Sequence, residues 1–205
     1  MPGLIINRRT VLRRASGYDA SAILFFNSAG ITGAVAKNAL NQFVLDLKGL
    51  GLTSNHSDLW SKCYAVYPYC PVDDSTANAT SFKYNLKDVA TYTLTFTNFV
   101  GGDFLPTGLT GDGVTKYAET GIVPSTALLL DNVGLSVYCR SDIAGSIGSM
   151  GATDAAFTQS LYFWIKNAPG TGYSSRLNDD TSFNPADGGH SSAGLFCTQR
   201  NASNS

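Results

Sequence analysis

Residues 60–69 of this chain read Trp60-Ser61-Lys62-Cys63-Tyr64-Ala65-Val66-Tyr67-Pro68-Tyr69, and they separate a helical first quarter from a strand-rich remainder. The stretch is aromatic and apolar apart from one lysine, which is typical of a buried strand. Pro68 would end such a strand, because proline has no backbone N–H to donate to a neighbour. We therefore predict a core strand in which Trp60 and Tyr67 are packed, while Lys62 lies along apolar surface with its ammonium in water.

One amphipathic helix precedes this stretch. Its apolar positions recur at intervals of three and four residues and share one helical face over about 33–48: Ala36, Leu40, Phe43, Val44 and Leu47. Gly49 follows and offers the left-handed conformation with which many helices end. Residues 1–20 show no periodic pattern, so we expect an extended N-terminal arm. Residues 21–205 would then hold the helix and a β-domain.

The rest of the chain alternates strand patterns with turn-forming segments. Threonine alternates with large apolar residues over 91–97, which is the clearest half-buried strand pattern. Further strands are predicted over 83–86, 135–140 and 161–166 and from 194 onward, with loops over 70–79 and 167–192. Many short strands separated by turns favour a β-sandwich or a barrel.

Charge is low and unevenly placed. The net charge of −1 and the pI near 6.0 argue against a nucleic-acid-binding protein, which normally carries a basic face. Four arginines nevertheless fall within the first fourteen positions: Arg8, Arg9, Arg13 and Arg14. They indicate either a solvated, disordered terminus or an arm that docks on an acidic partner. No apolar run suits a signal peptide or a membrane span, so we expect synthesis in the cytoplasm and no membrane partner.

The sequence favours no catalytic chemistry. A glycosidase needs two carboxylates at a defined separation, and Glu119 is the sole glutamate, with no aspartate paired to it by pattern. The histidines, His56 and His190, lie in polar stretches away from any nucleophile motif. We therefore predict a protein that is not an enzyme and has no cofactor.

Metal binding is also disfavoured. Calcium could use oxygen ligands from Asp112, from Asp179 with Asp180, or from Asp187, but their spacing matches no defined calcium loop, and turn formation is the ordinary explanation. The cysteines are widely spaced and lack the pattern of a zinc site: Cys63, Cys70, Cys139 and Cys197. Burial as small apolar residues is the expected role, and a Cys63–Cys70 disulfide is the alternative.

Three aromatic residues are the candidate ligand or interface residues of the β-domain. Tyr138, Tyr162 and Trp164 alternate with the apolar residues of their predicted strands, so they should lie on the outer face. There they could form a carbohydrate-stacking platform or a subunit interface, although half-buried aromatic residues of a sandwich are equally consistent with the pattern.

The order of several motifs resembles a known group of proteins. After the helix come Trp60-x-Lys62-x-x-Ala65-x-Tyr67-Pro68, Lys83-Tyr84-Asn85-Leu86-Lys87, Leu94-Thr95-Phe96, Gly113-x-x-x-Tyr117-Ala118-x-Thr120 and Leu135-Ser136-Val137-Tyr138-x-Arg140. This order is similar to that of structural proteins of crAss-like and other Bacteroidetes phages, which are fibre, tail or capsid-surface proteins. The similarity spans roughly residues 20–200, and it is the order of the motifs, more than any one of them, that is specific.

The resemblance implies a mainly β fold: a jelly-roll-like β-sandwich similar to concanavalin-like lectin domains, preceded by the extended arm and the amphipathic helix. It implies display on a virion without catalytic residues, and it assigns no site residue. We expect other virion proteins of the capsid or tail as partners, a homo-oligomer, and contact with host glycan. In such proteins more strands normally follow the one beginning at Gly194, whereas this sequence ends at Ser205. The sandwich is therefore closed by fewer strands, completed by another subunit, or continued in sequence not given.

Overall fold

The computed structural model describes residues 17–51, 58–129, 131–142, 147–153, 160–166, 173–179 and 191–201. These residues form four helices and nine strands in small antiparallel sheets, which confirms the predicted β-rich class. They group into two compact units. The first contains the described residues up to Gly111 together with Lys116–Thr120, and the second contains Asp112–Thr115 and the described residues from Gly121 onward.

Helix α1 (Ala20–Ala29) opens the first unit and was not predicted. Apolar residues occur all around it, so no three-four periodicity stands out: Phe25 and Phe26 are buried, whereas Leu24 is exposed. The Asp19 carboxylate caps its start by accepting from the backbone N–H of Ser21 at 2.9 Å. Its end is Gly30, with a φ of 68°.

Helix α2 (Ala34–Leu47) confirms the helix predicted over about 33–48. Ala36, Leu40 and Val44 are buried against α1 in the core of the unit. Phe43, which the pattern placed on the same face, is 42% exposed instead, because the buried stripe is narrower than the apolar one. The apolar stripe therefore predicts the helix but overstates its contact with the core.

Residues 60–69 do not form the predicted core strand. Trp60–Lys62 is a single 3-10 turn, stabilised by the Asp58 carboxylate, which accepts from the backbone N–H of Ser61 at 3.1 Å. The following residues run without strand pairing, apart from the N–H of Leu86 donating to the carbonyl of Val66 at 2.8 Å. Trp60 and Val66 do pack against the core. The prediction was right that Trp60 is packed and wrong about conformation, since apolar content does not require a ladder partner. Tyr67 is half-buried, and its hydroxyl donates to the carbonyl of Tyr92 at 2.6 Å.

Two lysine ammonium groups lie close to the ring of Trp60. The ammonium groups of Lys48 and Lys87 lie 5.0 and 4.9 Å from its ring centroid. Lys48 also donates to the Asp19 carboxylate at 2.7 Å, and Lys87 donates to the Trp60 carbonyl at 2.6 Å. Lys62, by contrast, is exposed. These contacts add favourable interactions for a tryptophan ring that is only half-buried.

An aromatic cluster fills the rest of the first unit. Helix α3 (Ala79–Lys83) begins at Asn78, whose side-chain oxygen accepts from the Ser81 N–H while its backbone N–H donates to the Ser81 hydroxyl. The helix presents the fully buried Phe82. Phe82 contacts the rings of Tyr69 and Phe104 at 5.5 and 5.8 Å. Further ring contacts extend the cluster to Phe96 and Phe99.

The strands around this cluster are short. Strands β1 (Thr95–Thr97) and β4 (Tyr117–Glu119) pair with each other, as do β2 (Phe104–Leu105) and β3 (Gly108–Leu109). The strand predicted over 91–97 is thus confirmed only at its end, although Leu94 is buried and Thr95 exposed as the alternation requires. The strand predicted over 83–86 is wrong, because Lys83 ends α3 and Asn85 is turned inward, accepting from Val66 N–H at 3.0 Å.

The second unit holds the long strands. After helix α4 (Pro124–Ala127), β5 (Val133–Cys139) pairs with β9 (Gly194–Arg200), and both confirm predicted strands. Strands β6 (Ile147–Thr153), β7 (Ser160–Lys166) and β8 (Ser174–Asp179) form a second antiparallel sheet in the order β6-β7-β8. Strand β7 was predicted and β6 was not. The loop predicted over 167–192 is wrong in part, because residues 174–179 form strand β8. The mostly polar side chains of this segment do not show the alternation that indicates a strand.

The two sheets of this unit contact each other through apolar and polar side chains. Val133, Leu161 and Leu177 form a small core between them. The Thr198 hydroxyl on β9 donates to that of Ser175 on β8 at 3.1 Å, and Arg200 donates to the carbonyl of Leu177 at 3.0 Å. The unit is therefore a packed pair of small sheets.

Candidate functional site

Of the predicted site residues, the structure brings together two. Tyr162 and Trp164 lie two positions apart on β7, with ring centroids 6.3 Å apart and an angle of 61° between the rings. Tyr138 lies on β5, in the other sheet, and makes no ring contact among the described residues. Arg8, Arg9, Arg13 and Arg14 lie outside the described residues.

The orientation of Tyr162 and Trp164 follows from the other face of β7. Leu161, Phe163 and Ile165 are all buried, so the alternating residues must face away from them. Trp164 is consequently 40% exposed, and Tyr162 is half-buried. Trp164 thus has the exposed position that the alternation predicts, whereas Tyr162 fits the alternative of a half-buried aromatic residue.

Strand β8 contributes two polar neighbours to these rings. Tyr162 is paired in register with Arg176, whose guanidinium carbon lies 5.8 Å from the Tyr162 ring centroid. Trp164 is paired with Ser174, and the hydroxyls of Ser174 and Tyr162 are 3.4 Å apart. Ser174 is buried, whereas Arg176 is half-buried. We call the surface formed by Tyr162, Trp164 and Arg176 the aromatic face. The sequence analysis missed Ser174 and Arg176, because residues 174–177 show no alternation of apolar with polar side chains.

Strand β6 places a glycine next to each of the two aromatic residues. Gly151 is paired with Tyr162, and Gly148 with Trp164. A Cβ atom at Gly151 would lie 2.6 Å from the Cβ of Tyr162, which is closer than two such atoms can approach. Glycine at this position is therefore needed for the observed placement of Tyr162.

An ion pair fixes the end of β7. Lys166 is buried and donates to the Asp142 carboxylate at 2.7 Å, and the same oxygen accepts from the N–H and the hydroxyl of Ser192 at 2.8 and 2.9 Å. The hydrogen bonds from Lys166 and Ser192 hold the pKa of the Asp142 carboxyl well below its ordinary value. This cluster connects the chain after β5, the end of β7 and the chain before β9.

Tyr138 belongs to a second exposed surface, on the outer side of β5 and β9. Tyr138 and its register partner Leu195 are both 69% exposed. Beside them lies an open groove of about 540 Å³, bordered by the exposed residues Gly134, Ser136, Cys197 and Gln199. We call it the ribbon groove. It is uncharged and is separate from the aromatic face in the sheet pairing.

The other sequence candidates have local structural roles or none that is visible. Asp112 makes a turn by accepting from the N–H groups of Val114 and Thr115, at 3.0 and 2.8 Å. Glu119 is an exposed residue at the end of β4. Among the described residues, no three histidine, cysteine or acidic side chains come close enough to hold a metal ion. Asp180, Asp187, His56 and His190 lie outside the described residues.

All four cysteines are free, so the Cys63–Cys70 disulfide is not formed. Cys70 is buried, and its burial raises the pKa of the thiol to about 11. Burial likewise raises the pKa of the Cys63 and Cys139 thiols. Thiols with raised pKa values are poor nucleophiles at neutral pH, because little thiolate is present.

None of the described helices is both long and apolar enough to cross a membrane. No family model matches the chain, and neither a curated protein nor a solved structure does.

Proposed function

We propose that this chain is a structural protein of a bacteriophage virion, a fibre or a decoration protein of the capsid or tail. In this role the N-terminal arm attaches it to the particle, and the β-rich body is displayed for contact with the host surface or its glycans. The observation that carries the proposal is the aromatic face. Trp164 is exposed, Tyr162 is half-buried, and the guanidinium of Arg176 lies beside the Tyr162 ring, as suits a contact surface. The motif order that resembles phage structural proteins gives the second line of support.

We also propose the finer architecture, a jelly-roll-like sandwich, for the second unit. Its support is the pairing of β5 with the distant β9 and the apolar contact of this ribbon with the other sheet through Val133, Leu161 and Leu177. Each sheet is small in the described part of the chain. Additional strands, from this chain or from a neighbouring copy, would enlarge both.

A homo-oligomer is part of the proposal. Strands β5 and β9 pair only with each other among the described residues, and β6 and β8 are the outer strands of their sheet. Exposed strand edges are prone to pair with other chains, so proteins usually cover them. Neighbouring copies in a particle would provide that cover. Light scattering that shows a monomer with intact second-unit strands would contradict this part.

The attachment role is tested by removing the arm. A variant lacking residues 1–16 should fold but be absent from purified particles, because the proposed docking contacts of Arg8, Arg9, Arg13 and Arg14 are lost. A full-length variant with these four arginines changed to glutamine separates the effect of charge from that of chain length. Normal incorporation of the deletion variant would overturn the anchoring role.

A stand-alone carbohydrate-binding module is the second candidate, and the same aromatic face favours it. It differs from the first in needing no particle: the isolated protein should then bind glycans while being absent from virions. A glycan array with the isolated protein, together with a protein inventory of purified particles, distinguishes the two. No reaction of the glycan is part of either role.

A further inference from the structure

We propose that Tyr64 and Tyr92 are an oxidative cross-linking site, at which a carbon–carbon bond joins the two phenol rings into dityrosine. The oxidant is a peroxide activated by a haem peroxidase. The bond fixes residues 60–69 to residues 88–92, and both segments belong to the first unit. The inference goes beyond the proposed virion role and does not depend on it.

The two phenol rings already meet at the edges that dityrosine joins. Their centroids are 5.2 Å apart, with 40° between the ring planes, and their hydroxyl groups are hydrogen-bonded with the oxygens 2.5 Å apart. The hydroxyls are thus closer together than the ring centres. In dityrosine the new bond links the ring carbons next to the two hydroxyl-bearing carbons, which lie on these same edges. Tyr64 is 39% exposed, so an oxidant can reach the pair from solvent.

Tyr92 is held in place by its backbone. Its φ of 52° is in the left-handed region, which bulky residues rarely occupy. The preceding turn is closed by the N–H of Thr91, which donates to the carbonyl of Asp88 at 3.1 Å. The hydroxyl of Tyr67 donates to the carbonyl of Tyr92 at 2.6 Å. These two hydrogen bonds position the backbone from which the Tyr92 ring extends towards Tyr64.

Hydrogen bonds on both sides of Tyr64 position it in turn. The N–H of Cys63 donates to the carbonyl of Leu59 at 3.1 Å, which closes the 3-10 turn. Two residues after Tyr64, the N–H of Val66 donates to the side-chain oxygen of Asn85 at 3.0 Å. Because both backbones are already placed, the two rings react as neighbours within one molecule and not by random encounter.

The reaction balances with one equivalent of hydrogen peroxide. The peroxidase removes one electron and one proton from each phenol, which gives two phenoxyl radicals, and the peroxide is reduced to two molecules of water. The radicals combine between the ring carbons next to the oxygens. The hydrogen atom on each joined carbon then moves to the oxygen, so both phenols are restored. The net change in the protein is the loss of two hydrogen atoms.

The bond adds a covalent link where the first unit has few constraints. Residues 60–69 have almost no strand pairing, and all four cysteines are free. Tyr64 and Tyr92 are 28 positions apart in the sequence. A bond that closes a loop of this length stabilises the folded state mainly by restricting the unfolded chain, as a disulfide does. We expect the thermal midpoint of the first unit to rise by at least about 5 °C.

The test oxidises the full-length protein, at low concentration, with a haem peroxidase and hydrogen peroxide. A thiol reductant added afterwards reverses any disulfide. Trypsin cleaves after the four lysines of this region: Lys62, Lys83, Lys87 and Lys116. The expected product therefore joins residues 63–83 to residues 88–116, in which Tyr92 is the one tyrosine, and has two hydrogen atoms fewer than the separate peptides. It should come from the monomer fraction and show the blue fluorescence of dityrosine.

Three variants locate the bond. Tyr64→Phe and Tyr92→Phe keep the ring and lose the hydroxyl, so each should lower the yield of the joined peptide about tenfold or more. Tyr138→Phe removes a tyrosine of the second unit that is 69% exposed, and it should leave the yield unchanged. Cooperative thermal unfolding before oxidation shows that each variant is folded. Scanning calorimetry then compares the oxidised wild type with equally treated Tyr64→Phe, whose midpoint should not rise.

Three results would overturn the inference. The first is the absence of the joined peptide from the oxidised monomer. The second is an equal yield in wild type and Tyr64→Phe, which would assign the bond to Tyr67 or Tyr69 in the same peptide. The third is a cross-linked protein with an unchanged midpoint, which would show that the bond does not fix the 60–69 segment.

Discussion

The two units differ in how far their buried aromatic side chains pack against one another. In the first unit, Phe82 is fully buried, and the rings of Phe96, Phe99 and Phe104 extend the cluster around it. In the second unit, the cluster between the sheets is aliphatic, Phe163 is buried without a ring contact among the described residues, and Trp164 and Tyr138 are exposed. The difference follows from strand length. Strands of two or three residues supply few ladder hydrogen bonds, so ring packing must hold them, whereas strands of six or seven residues leave rings free for the surface.

The chain contains two tryptophans, and each unit has one. Trp60 packs against the core of the first unit, and Trp164 lies on the second. Fluorescence of a Trp164→Phe variant therefore reports unfolding of the first unit, and that of a Trp60→Phe variant reports the second. The comparison between the units can thus be tested one unit at a time.

The largest effect is expected at Phe82. Phe82→Ala should lower the free energy of unfolding of the first unit by about 3–5 kcal/mol, because it leaves a cavity where Tyr69 and Phe104 now meet the ring. The measurement is urea unfolding followed by Trp60 fluorescence in the Trp164→Phe background. Phe43→Ala, in the same unit but 42% exposed, is the matched control and should cost far less. Equal losses for the two would show that ring packing does not hold this unit.

A smaller effect is expected at Gly33, which begins α2. A Cβ atom there would lie 2.8 Å from the Cα of Asp73, and backbone atoms cannot move aside as a flexible side chain would. Gly33→Ala should therefore cost about 1–3 kcal/mol, measured by the same Trp60 fluorescence. Gly102→Ala has no atom within 4 Å of the new Cβ and is the control. If both variants unfold alike, close contact between α2 and the 72–73 segment does not matter for stability.

The same difference between the units explains how much of the fold the sequence could predict. Strands β5, β7 and β9 were predicted because more buried residues alternate with more exposed ones along most of each strand, which leaves a period of two in the sequence. Residues 60–69 were misassigned because their apolar side chains pack on helices while their backbone has almost no ladder partner. Apolar residues in a sequence indicate which positions are buried. They indicate strand pairing only where buried and exposed positions alternate.

A third prediction concerns acid stability of the second unit. The pKa of Asp142 is lower in the folded state than the value of about 3.9 expected in an unfolded chain. The stabilisation is thus fully present above that value and is lost as the pH falls through the folded pKa. Asp142→Asn should destabilise the second unit most at pH 7 and by a smaller amount near pH 2, measured by Trp164 fluorescence in the Trp60→Phe background.

Lys166→Gln provides the partner control for this prediction. It removes the ammonium that donates to Asp142 at 2.7 Å, so it should reduce the same pH-dependent component. The double variant should be less destabilised than the sum of the two single variants, because the residues act as one pair. A difference between wild type and Asp142→Asn that stays constant from pH 7 to pH 2 would show that the pair does not cause the pH dependence.

The candidate site was predictable only in part, for a related reason. Tyr162 and Trp164 were found because they alternate with buried residues within one strand. Their neighbours Arg176 and Gly151 come from other strands, and the register between strands depends on turns and bulges, which the alternation of a single strand does not reveal. Tyr138 was grouped with the two rings because outward orientation alone does not distinguish two sheets.

The smallest effect is expected at Tyr138, whose ring is 69% exposed and contacts no other described ring. Tyr138→Thr keeps a residue suited to strands, so the free energy of unfolding of the second unit should change by less than about 0.5 kcal/mol. Leu161→Ala, from the core of the same unit, should instead cost about 2–5 kcal/mol when both are followed by Trp164 fluorescence. A large loss in Tyr138→Thr would mean that this ring is covered, for example by a second copy across the ribbon groove. In that case the second unit too would depend on ring packing, and the contrast between the units would hold only for the isolated chain.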